Sequence, residues 1–388
     1  MPLVAPDHIE SGTGRLLKTE TAAEQAAISG KYLFECGDVV YSKIRPYLRK
    51  VYRATGPGLC SADMYPLRPN GELDSRFLHH LLLSEHFSRF AEIVSMRSGF
   101  PKLNRTELAE YDAAFPPLPE QRRIAEVLDT VDELIRKTEQ IIAKLKQVKQ
   151  GLLHDLLTLG IDDNLELRDP DRDPERFEDS PLGRVPRTWS VGPLGSVALI
   201  IDPNPSHRYP PEVEDGVPIA STENFLGTDD FDLKRSKRVP FATYEQQAAR
   251  CAFATNDVVF ARKGRIGFAR RYGAARKVFS HTVVVMKPRS GTIPSFLLWV
   301  VRSERFFEGI RLRMNTNLGV PTLGVGFLSQ VVVPIPPMKE QEMICERLDA
   351  LQARIRTESG DLSKLRSLKA GLMEDLLTGR VSTRDSAP

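Results

Sequence analysis

The chain has 388 residues, of which 41% are hydrophobic and 27% are charged, and its formal net charge is +3. This composition is typical of a folded globular protein and leaves room for two or three domains. There is no apolar run of about 18 residues for a membrane span and no basic-then-apolar start typical of a signal peptide, so we expect a cytoplasmic protein. Its four cysteines stand singly, which argues against a disulfide framework or a structural zinc site.

The first segment, residues 1–115, is predicted to be a small domain of short strands with one short helix. Runs rich in β-branched residues, such as "GDVVYS" at Gly37, are bounded by turn residues, which is typical of strands. The apolar pattern of "RFLHHLLLSEHF" at Arg76 predicts the helix.

A long helix is predicted for residues 116–160, and a second, similar helix is predicted for residues 336–379. Without a gap, "PPLPEQRRIAEVLDTVDELI" at Pro116 and "PPMKEQEMICERLDALQARI" at Pro336 begin stretches that share 19 of 43 positions. Paired prolines, followed by Glu120 or Glu340 in the first turn, define each helix start. About 40 residues at 1.5 Å each give a rod of about 60 Å, long enough to act as a spacer.

Apolar residues recur in each copy at steps of four and three, which is the seam of a helix that pairs with another helix. We expect the two helices to pair with each other, although unrelated amphipathic helices packed on separate domains would show a similar stripe. The predicted seam residues are Ile124, Leu128, Val131, Ile135, Ile142, Leu145, Leu152 and Leu156 in the first copy, and Ile344, Leu348, Leu351, Ile355, Leu362, Leu365, Leu372 and Leu376 in the second. Thr138 and Lys149 interrupt the first seam where Glu358 and Lys369 interrupt the second.

Between the helices lie an acidic linker at residues 161–185 and a second domain at residues 186–335, and a short tail follows at 380–388. Residues 184–335 carry 21 Lys and Arg against 12 Asp and Glu. This domain repeats the first, since "TNDVVFARKGRI" at Thr255 parallels "CGDVVYSKIRPY" at Cys36 and "FSHTVVVMKP" at Phe279 parallels "CSADMYPLRP" at Cys60. The chain is therefore predicted to be a duplication with pseudo-two-fold symmetry.

The first copy begins differently from the second. Its start aligns with "GVPIASTENF" at Gly216, so it lacks about 25 residues that open the second domain. If those residues include a strand, an exposed sheet edge is expected in the first domain.

Basic residues in the loops of both domains predict a DNA-binding surface. Arginine can bind phosphate or guanine, and asparagine can pair with adenine. The alternative is that these are solvated charges at strand edges. The candidate DNA-binding residues are Lys43, Arg45, Arg49, Lys102, Asn104 and Arg105 in the first domain, and Lys234, Arg235, Arg262, Lys263, Arg265, Arg313, Asn315 and Asn317 in the second.

No sequence pattern predicts a catalytic or metal site. "DPNP" at Asp202 lacks the aromatic residue that would stack on a flipped base, so it is predicted to be a turn. There is no phosphate-binding loop of the G-x-x-x-x-G-K-[ST] type. The seven histidines are scattered, and the adjacent pair His79 and His80 points to different helix faces.

Taken together, the two helix entries, the junction "DSPLGRVPRTW" at Asp179 and the two variable domains resemble the specificity subunit of type I restriction-modification systems. The resemblance covers nearly the whole chain. It implies an α+β fold with two target recognition domains, each a small mixed α/β globule, separated by two long antiparallel coiled-coil helices. Each domain would read one half of a bipartite DNA sequence, and the helices would set the gap.

The resemblance also implies partners. These are double-stranded DNA, two methyltransferase (modification) subunits and restriction/translocase subunits. S-adenosylmethionine and ATP are expected on those partner subunits, with no cofactor and no catalysis in this chain. Two alternatives are a coiled-coil scaffold whose basic domain binds RNA or acidic protein, and, with less support, a self-contained DNA methyltransferase.

Overall fold

The computed structural model describes residues 1–26, 30–95, 101–227, 229–311 and 322–383. The chain forms two compact units, the first from Met1–Ile142 with Thr357–Pro388 and the second from Ala143–Arg356. These units differ from the segments expected from the sequence, because each unit takes half of each long helix. Within the described ranges, none of the helices has the length and apolar character needed to cross a membrane.

In the first unit, short strands form two small sheets that are followed by helices. The first sheet has the order β2-β1-β6-β3, in which β1 and β6 are parallel, and the second has the antiparallel order β5-β4-β7. The elements are β1 (Pro2–Val4), β2 (Glu20–Thr21), β3 (Lys31–Phe34), β4 (Val39–Ser42), β5 (Val51–Arg53), β6 (Gly58–Ser61), β7 (Met64–Leu67), α1 (Ser75–Leu83), α2 (Glu85–Ser95), α3 (Arg105–Ala109) and the long helix α4 (Leu118–Leu156).

In the second unit, the corresponding sheets have the orders β15-β12-β18 and β11-β19-β16-β17. The elements are β8 (Phe177–Ser180), β9 (Gly183–Pro186), β10 (Ser190–Pro193), α5 (Leu194–Val197), β11 (Ala198–Ile201), β12 (Val217–Ala220), β13 (Phe225–Leu226), β14 (Asp230–Phe231), β15 (Arg238–Val239), α6 (Phe241–Cys251), β16 (Val258–Ala261), β17 (Ala269–Arg271), β18 (Val278–Phe279), β19 (Val283–Pro288), α7 (Pro294–Val301), α8 (Glu304–Arg311), α9 (Val325–Ser329), β20 (Val332–Ile335) and the long helix α10 (Met338–Leu377).

The two units share a topology, which confirms the predicted duplication. The order β5-β4-β7 corresponds to β17-β16-β19, and the parallel pair β1 and β6 corresponds to the parallel pair β12 and β18. They differ at one edge, since β19 also pairs with β11. Among the described residues of the first unit, β7 pairs only with β4, so its other edge is open as the sequence predicted. Pro66 lies in β7, and a residue without an N–H suits an edge strand.

The long helices pair in antiparallel fashion within each unit. In the first unit, Ile124 and Leu128 of α4 share one core with Leu376 and Leu377 of α10. In the second unit, Leu153 and Leu156 share a core with Ile344 and Leu348. Every predicted seam residue is buried or half-buried.

The lysines that interrupt the seam bind polar residues of the opposite helix. The Lys369 ammonium lies 2.6 Å from the Asp132 carboxylate in the first unit. In the second unit, Lys149 Nζ donates to Gln352 Oε1 at 2.9 Å. The two lysine interruptions are thus relieved by cross-pairing, whereas the Thr138 hydroxyl donates to Leu134 O of its own helix.

Candidate nucleic-acid interface

Residues 43–49 follow strand β4 and form a turn that we call the basic turn of the first unit. Its backbone is unusual. Arg45 has φ 48° and Arg49 has φ 46°, on either side of a single 3₁₀ turn at Pro46–Leu48. A residue with a Cβ pays roughly 1–2 kcal/mol in this left-handed region. The turn is held by backbone hydrogen bonds, from Arg45 N to Pro101 O at 2.9 Å and from Leu103 N to Lys43 O at 2.8 Å. Such strain is typical of functional positions.

Aromatic rings support the neighbouring cations. Lys43 Nζ lies 5.1 Å from the centre of the Tyr65 ring, and the Arg105 guanidinium lies 5.5 Å from the same ring. The Arg105 guanidinium also lies 5.9 Å from the Tyr32 ring. Lys102 forms a β-bridge to Ile44 in the basic turn. The structure therefore brings together four of the six predicted residues, Lys43, Arg45, Lys102 and Arg105.

The other two predicted residues of the first unit have structural partners. Asn104 is the N-cap of α3, and its side-chain oxygen accepts from Glu107 N at 2.9 Å. The amide oxygen of Asn104 is therefore engaged as a helix cap, and DNA binding by this residue stays a prediction. Arg49 pairs with Glu85 at 3.2 Å, and both side chains are substantially exposed.

The second unit builds the same turn with glycine. Gly264 has φ 74° and Gly267 has φ 91°, so the left-handed positions carry no side chain. The same backbone hydrogen bond recurs, from Leu323 N to Arg262 O at 2.9 Å, and Lys263 forms a β-bridge to Thr322. Lys263 is half-buried and Arg265 is exposed. The turn thus presents Arg265 to solvent on a frame that matches the first unit.

The structure corrects the expectation for Arg262. Its side chain is only 8% exposed, and Nη2 lies 2.6 Å from Asp202 Oδ2. Its Nε donates to His281 O at 2.9 Å. Because both ends of the guanidinium bind protein, Arg262 positions the Asp202 turn and the His281 loop and does not face solvent.

A cleft of about 720 Å³ lies beside this loop in the second unit. Its walls include Arg235, Lys237 and Arg238, together with Tyr209 and His281. Tyr209 Oη accepts from His281 N at 2.9 Å. Burial and the nearby His207, Lys263 and Arg262 lower the pKa of His281.

Several residues near this cleft bear on the sequence predictions. Lys234 and Arg235 are exposed. Lys237 and Arg238 were not among the predicted candidates, although they continue the same basic run, "KRSKR" at Lys234, which was the available signal. Arg313, Asn315 and Asn317 lie outside the described residues.

A repeated glutamine fixes each domain to the start of its long helix, and sequence reasoning missed it. Gln121 Oε1 accepts from Asp74 N at 2.8 Å, and its Nε2 donates to Glu72 O and Pro116 O at 2.9 Å. Gln341 does the same in the second unit with Ile293 N, Gly291 O and Pro336 O. Both glutamines are 1% exposed. The signal was the Glu-Gln pair that both helix starts share.

The glutamate before each glutamine binds the chain that follows the opposite helix. Glu340 accepts from Arg168 Nη1 at 2.5 Å and from Ile161 N at 2.8 Å. Glu120 accepts from Ser382 Oγ at 2.6 Å and from Thr383 N at 3.3 Å. Both carboxylates are buried, so their role extends beyond the helix dipole to which the sequence assigned them.

Comparisons with known proteins agree with this geometry. The family model described as type I restriction modification DNA specificity domain matches residues 10–147 and 186–367. The specificity subunit of the type I restriction enzyme EcoDI from Escherichia coli is 38% identical over 154 residues, which are 39% of this chain and 34% of that one. The MjaVIII specificity subunit from Methanocaldococcus jannaschii is 22% identical over 338 residues, 84% of this chain and 75% of that one. The chain thus spans about a third of the first relative and three quarters of the second.

Two solved structures share the fold. One is a chain from a study of complex assembly and conformational transition of the type I R-M system, with TM-score 0.57 and 20% identity over 98% of this chain and 92% of that one. The other is the S subunit of a type I restriction-modification system from M. genitalium, with TM-score 0.58 and 15% identity over 97% and 88%. At these identities the likeness concerns the fold alone.

Proposed function

We propose that this chain, which belongs to the family of type I restriction modification DNA specificity domains, is the DNA specificity subunit of a type I restriction-modification complex. Each unit reads one half of a bipartite DNA sequence through the turn that follows its central strand. The observation that carries this proposal is the duplicated turn frame, in which the bond from Leu103 N to Lys43 O matches the bond from Leu323 N to Arg262 O. Arg45 lies on the first turn and Arg265 on the second.

The side chains near each turn suit different parts of DNA. Arg265 is exposed on a glycine-flanked turn, so its guanidinium can approach base edges or phosphates in a groove. Lys43 and Arg105 lie on the Tyr65 ring, which fixes cations where a phosphate can bind them. The exposed residues Lys234, Arg235 and Lys237 add positive charge near the cleft of the second unit.

The long helices act as the spacer between the two half-sites. Helices α4 and α10 have 39 and 40 residues, about 60 Å of helix each. One turn of duplex DNA is about 34–36 Å, so rods of this length suit half-sites about one turn apart. The gap of unread base pairs then follows from the helix length.

Catalysis belongs to partner subunits in this proposal. Two methyltransferase subunits carry S-adenosylmethionine, restriction/translocase subunits carry ATP, and this chain binds no cofactor of its own. The relatives are named as specificity subunits of restriction enzymes, which supports this division of labour. The complex acts in the cytoplasm, where its DNA substrate lies.

Substitution of Arg265 tests the proposal. Methylome sequencing first identifies the two half-sites modified by the complex. The change Arg265→Ala is then expected to weaken binding of that duplex by about 1–3 kcal/mol and to relax the sequence preference in one half-site. Arg172→Ala is the control, since Arg172 lies in the acidic linker, pairs with Asp173 and has 64% of its side chain exposed.

Competition at fixed salt separates this function from its alternatives. The specific duplex should displace labelled specific duplex from the assembled complex at much lower concentration than random duplex or RNA does. Equal displacement by RNA would favour the coiled-coil scaffold instead. Tight binding of S-adenosylmethionine by the chain alone would favour a self-contained methyltransferase.

A further inference from the structure

The second unit contains a cavity of about 420 Å³ beside its half of α4. One wall is part of α4, a second is the end of the basic turn and the start of strand β17, and a third is the end of α7 and the start of α8. Three cationic side chains line it, those of Lys149, Arg270 and Arg302, and Glu304 is the acidic residue in the wall. Glu304 is 67% exposed and pairs with Arg311 at 3.1 Å, so it faces solvent and another cation.

Arg270 is the most buried of the three cations. The residue is 3% exposed, and its guanidinium donates to the carbonyl oxygens of Ala269 and Gly227. Within the described part of the chain, its Nε has no hydrogen-bond partner. Burial lowers the pKa of Arg270 to about 10, and the charge of Arg302 adds to this effect. Carbonyl oxygens accept hydrogen bonds but do not neutralise the charge.

The other two cations share the acidic and polar groups around them. Arg302 Nη2 lies 2.7 Å from Asp229 Oδ1, but the same carboxylate also pairs with Arg356 at 2.6 Å. Lys149 donates to the neutral amide of Gln352. Burial and the charge of Arg302 lower the pKa of Lys149. Asp229 therefore serves two guanidinium groups, Asp349 is a second carboxylate that acts on Arg302, and Lys149 adds a further positive charge.

The first unit shows what a neutralised lysine looks like at the same place. Lys369 is the counterpart of Lys149 in the helix repeat, and Asp132 is the counterpart of Gln352. Lys369 and Asp132 form an ion pair at 2.6 Å. A buried charge without a counter-charge is costly. Because Gln352 is neutral where the first unit has Asp132, an anion bound in the cavity would stabilise the second unit but has no equivalent in the first.

We propose that this cavity binds a phosphate group. Guanidinium groups match the planar spacing of phosphate oxygens, an ammonium supplies a point charge, and a volume of about 420 Å³ is within the range of small-ligand sites. The phosphate comes either from the DNA backbone, because Ile266–Phe268 in the cavity wall ends the basic turn, or from a small phosphorylated molecule.

Thermal unfolding of the full chain in inorganic phosphate, compared with chloride at equal ionic strength, tests this site. The wild-type melting temperature is expected to rise by about 2–4 °C and to saturate as phosphate is added. Gln352→Asp places the carboxylate of the first unit beside Lys149 and should remove the saturable rise. Any general stabilisation by phosphate remains in this variant and is subtracted.

Asp132→Asn is the matched control in the first unit. It lowers the melting temperature in chloride, because Lys369 loses its counter-charge, but it leaves the phosphate-dependent rise unchanged. A rise that is equal in wild type and Gln352→Asp would overturn the proposal. If Gln352→Asp melts below wild type in chloride, the two proteins are compared only by the phosphate increment, which is the rise in melting temperature from chloride to phosphate.

A second arm distinguishes the two sources of phosphate. If specific duplex DNA at saturation abolishes the phosphate increment, a backbone phosphate occupies the cavity, and Gln352→Asp should then lower DNA affinity by about tenfold. If the increment persists with DNA bound, the ligand is a small phosphorylated molecule. Only the DNA arm rests on the proposed function, so a chain that binds phosphate but no specific DNA would reject the function and keep the cavity site.

Discussion

The two units fix their domains to the long helices through the same carboxylate and different donors. In the first unit, His80 Nε2 donates to Asp129 Oδ1 at 2.8 Å. In the second, Trp299 Nε1 donates to Asp349 Oδ1 at 2.9 Å. Asp129 and Asp349 occupy equivalent positions of the helix repeat. The duplication therefore keeps the hydrogen bond, but the first unit makes it with an imidazole and the second with an indole.

The basic turns differ in a similar way. The first unit holds Arg45 and Arg49 in the left-handed region, where the second unit has Gly264 and Gly267. Glycine adopts this region without a steric cost, whereas arginine does not. The first unit thus accepts backbone strain and gains two more cationic side chains on its turn.

The largest expected effect concerns the buried ion pair of the second unit. Glu340→Gln leaves Arg168 buried without its counter-charge, since Arg168 is 12% and Glu340 5% exposed. We expect a loss of about 3 kcal/mol in the free energy of unfolding. Hydrogen exchange should show faster opening of residues 161–168 while the first unit keeps its protection.

Lys339→Gln, one residue earlier, is the control for this change. Lys339 pairs with Asp163, but both side chains are largely exposed and screened by solvent, so the loss should be much smaller than that of Glu340→Gln. Equal losses in the two variants would mean that burial of the Glu340 pair does not matter.

The first unit should be the more sensitive to acid because of His79. Burial lowers the pKa of His79 to about 3, and the charges of His80 and Lys369 contribute. Above pH 6.5 His79 is neutral in both the folded and the unfolded chain, so it does not change the free energy of unfolding. As pH falls from 6.5 toward 3, the unfolded chain binds a proton that the folded chain does not, and this favours unfolding. The first unit should then lose about 2 kcal/mol between pH 6 and pH 4.5.

His79→Leu should remove this pH dependence, because leucine cannot bind a proton. Leucine is chosen because the equivalent residue in the second unit is Leu298. Urea unfolding at several pH values measures it, and His154→Gln on an exposed part of α4 is the control. A slope that persists in His79→Leu would assign the acid sensitivity to other groups.

The smallest effect is the strain in the basic turn. Arg45→Gly should raise the free energy of unfolding of the first unit by about 1 kcal/mol while it lowers DNA affinity. Gly264→Ala should cost the second unit about 1 kcal/mol from its φ alone, since an added Cβ would lie 3.4 Å from the nearest side-chain atom, Thr222 Oγ1. If Arg45→Gly is destabilising, the arginine side chain contributes more to the fold than its backbone costs.

The features that repeat along the sequence are the ones that the sequence predicts best. The seam from Ile124 to Leu156 and its second copy required only periodicity, and the duplication predicted the shared sheet order. The binding residues were harder, because a loop arginine has the same sequence pattern whether it faces solvent or a carboxylate. Arg262 is buried on Asp202, 60 residues away in the chain, and such a long-range pair leaves no local signal.

The roles of Asn104 and Gln341 illustrate the same limit at different scales. Asn104 is followed three residues later by Glu107, a capping box that could have been read from the sequence. Gln341 binds the backbone of Gly291 and Ile293, and no sequence rule predicts which backbone groups a buried amide will reach. Repetition at Gln121 was the only available clue.

The proposal that the helices set the gap between half-sites is tested most directly by lengthening both of them. Seven residues inserted after Thr138, and seven more after Glu358, keep the seam in phase and add about 10 Å, close to three base pairs of duplex. Methylome sequencing of cells that carry the modified complex should show the same two half-sites with a gap about three base pairs longer. An unchanged gap, or changed half-site bases, would contradict the proposal that two reading domains are spaced by their helices.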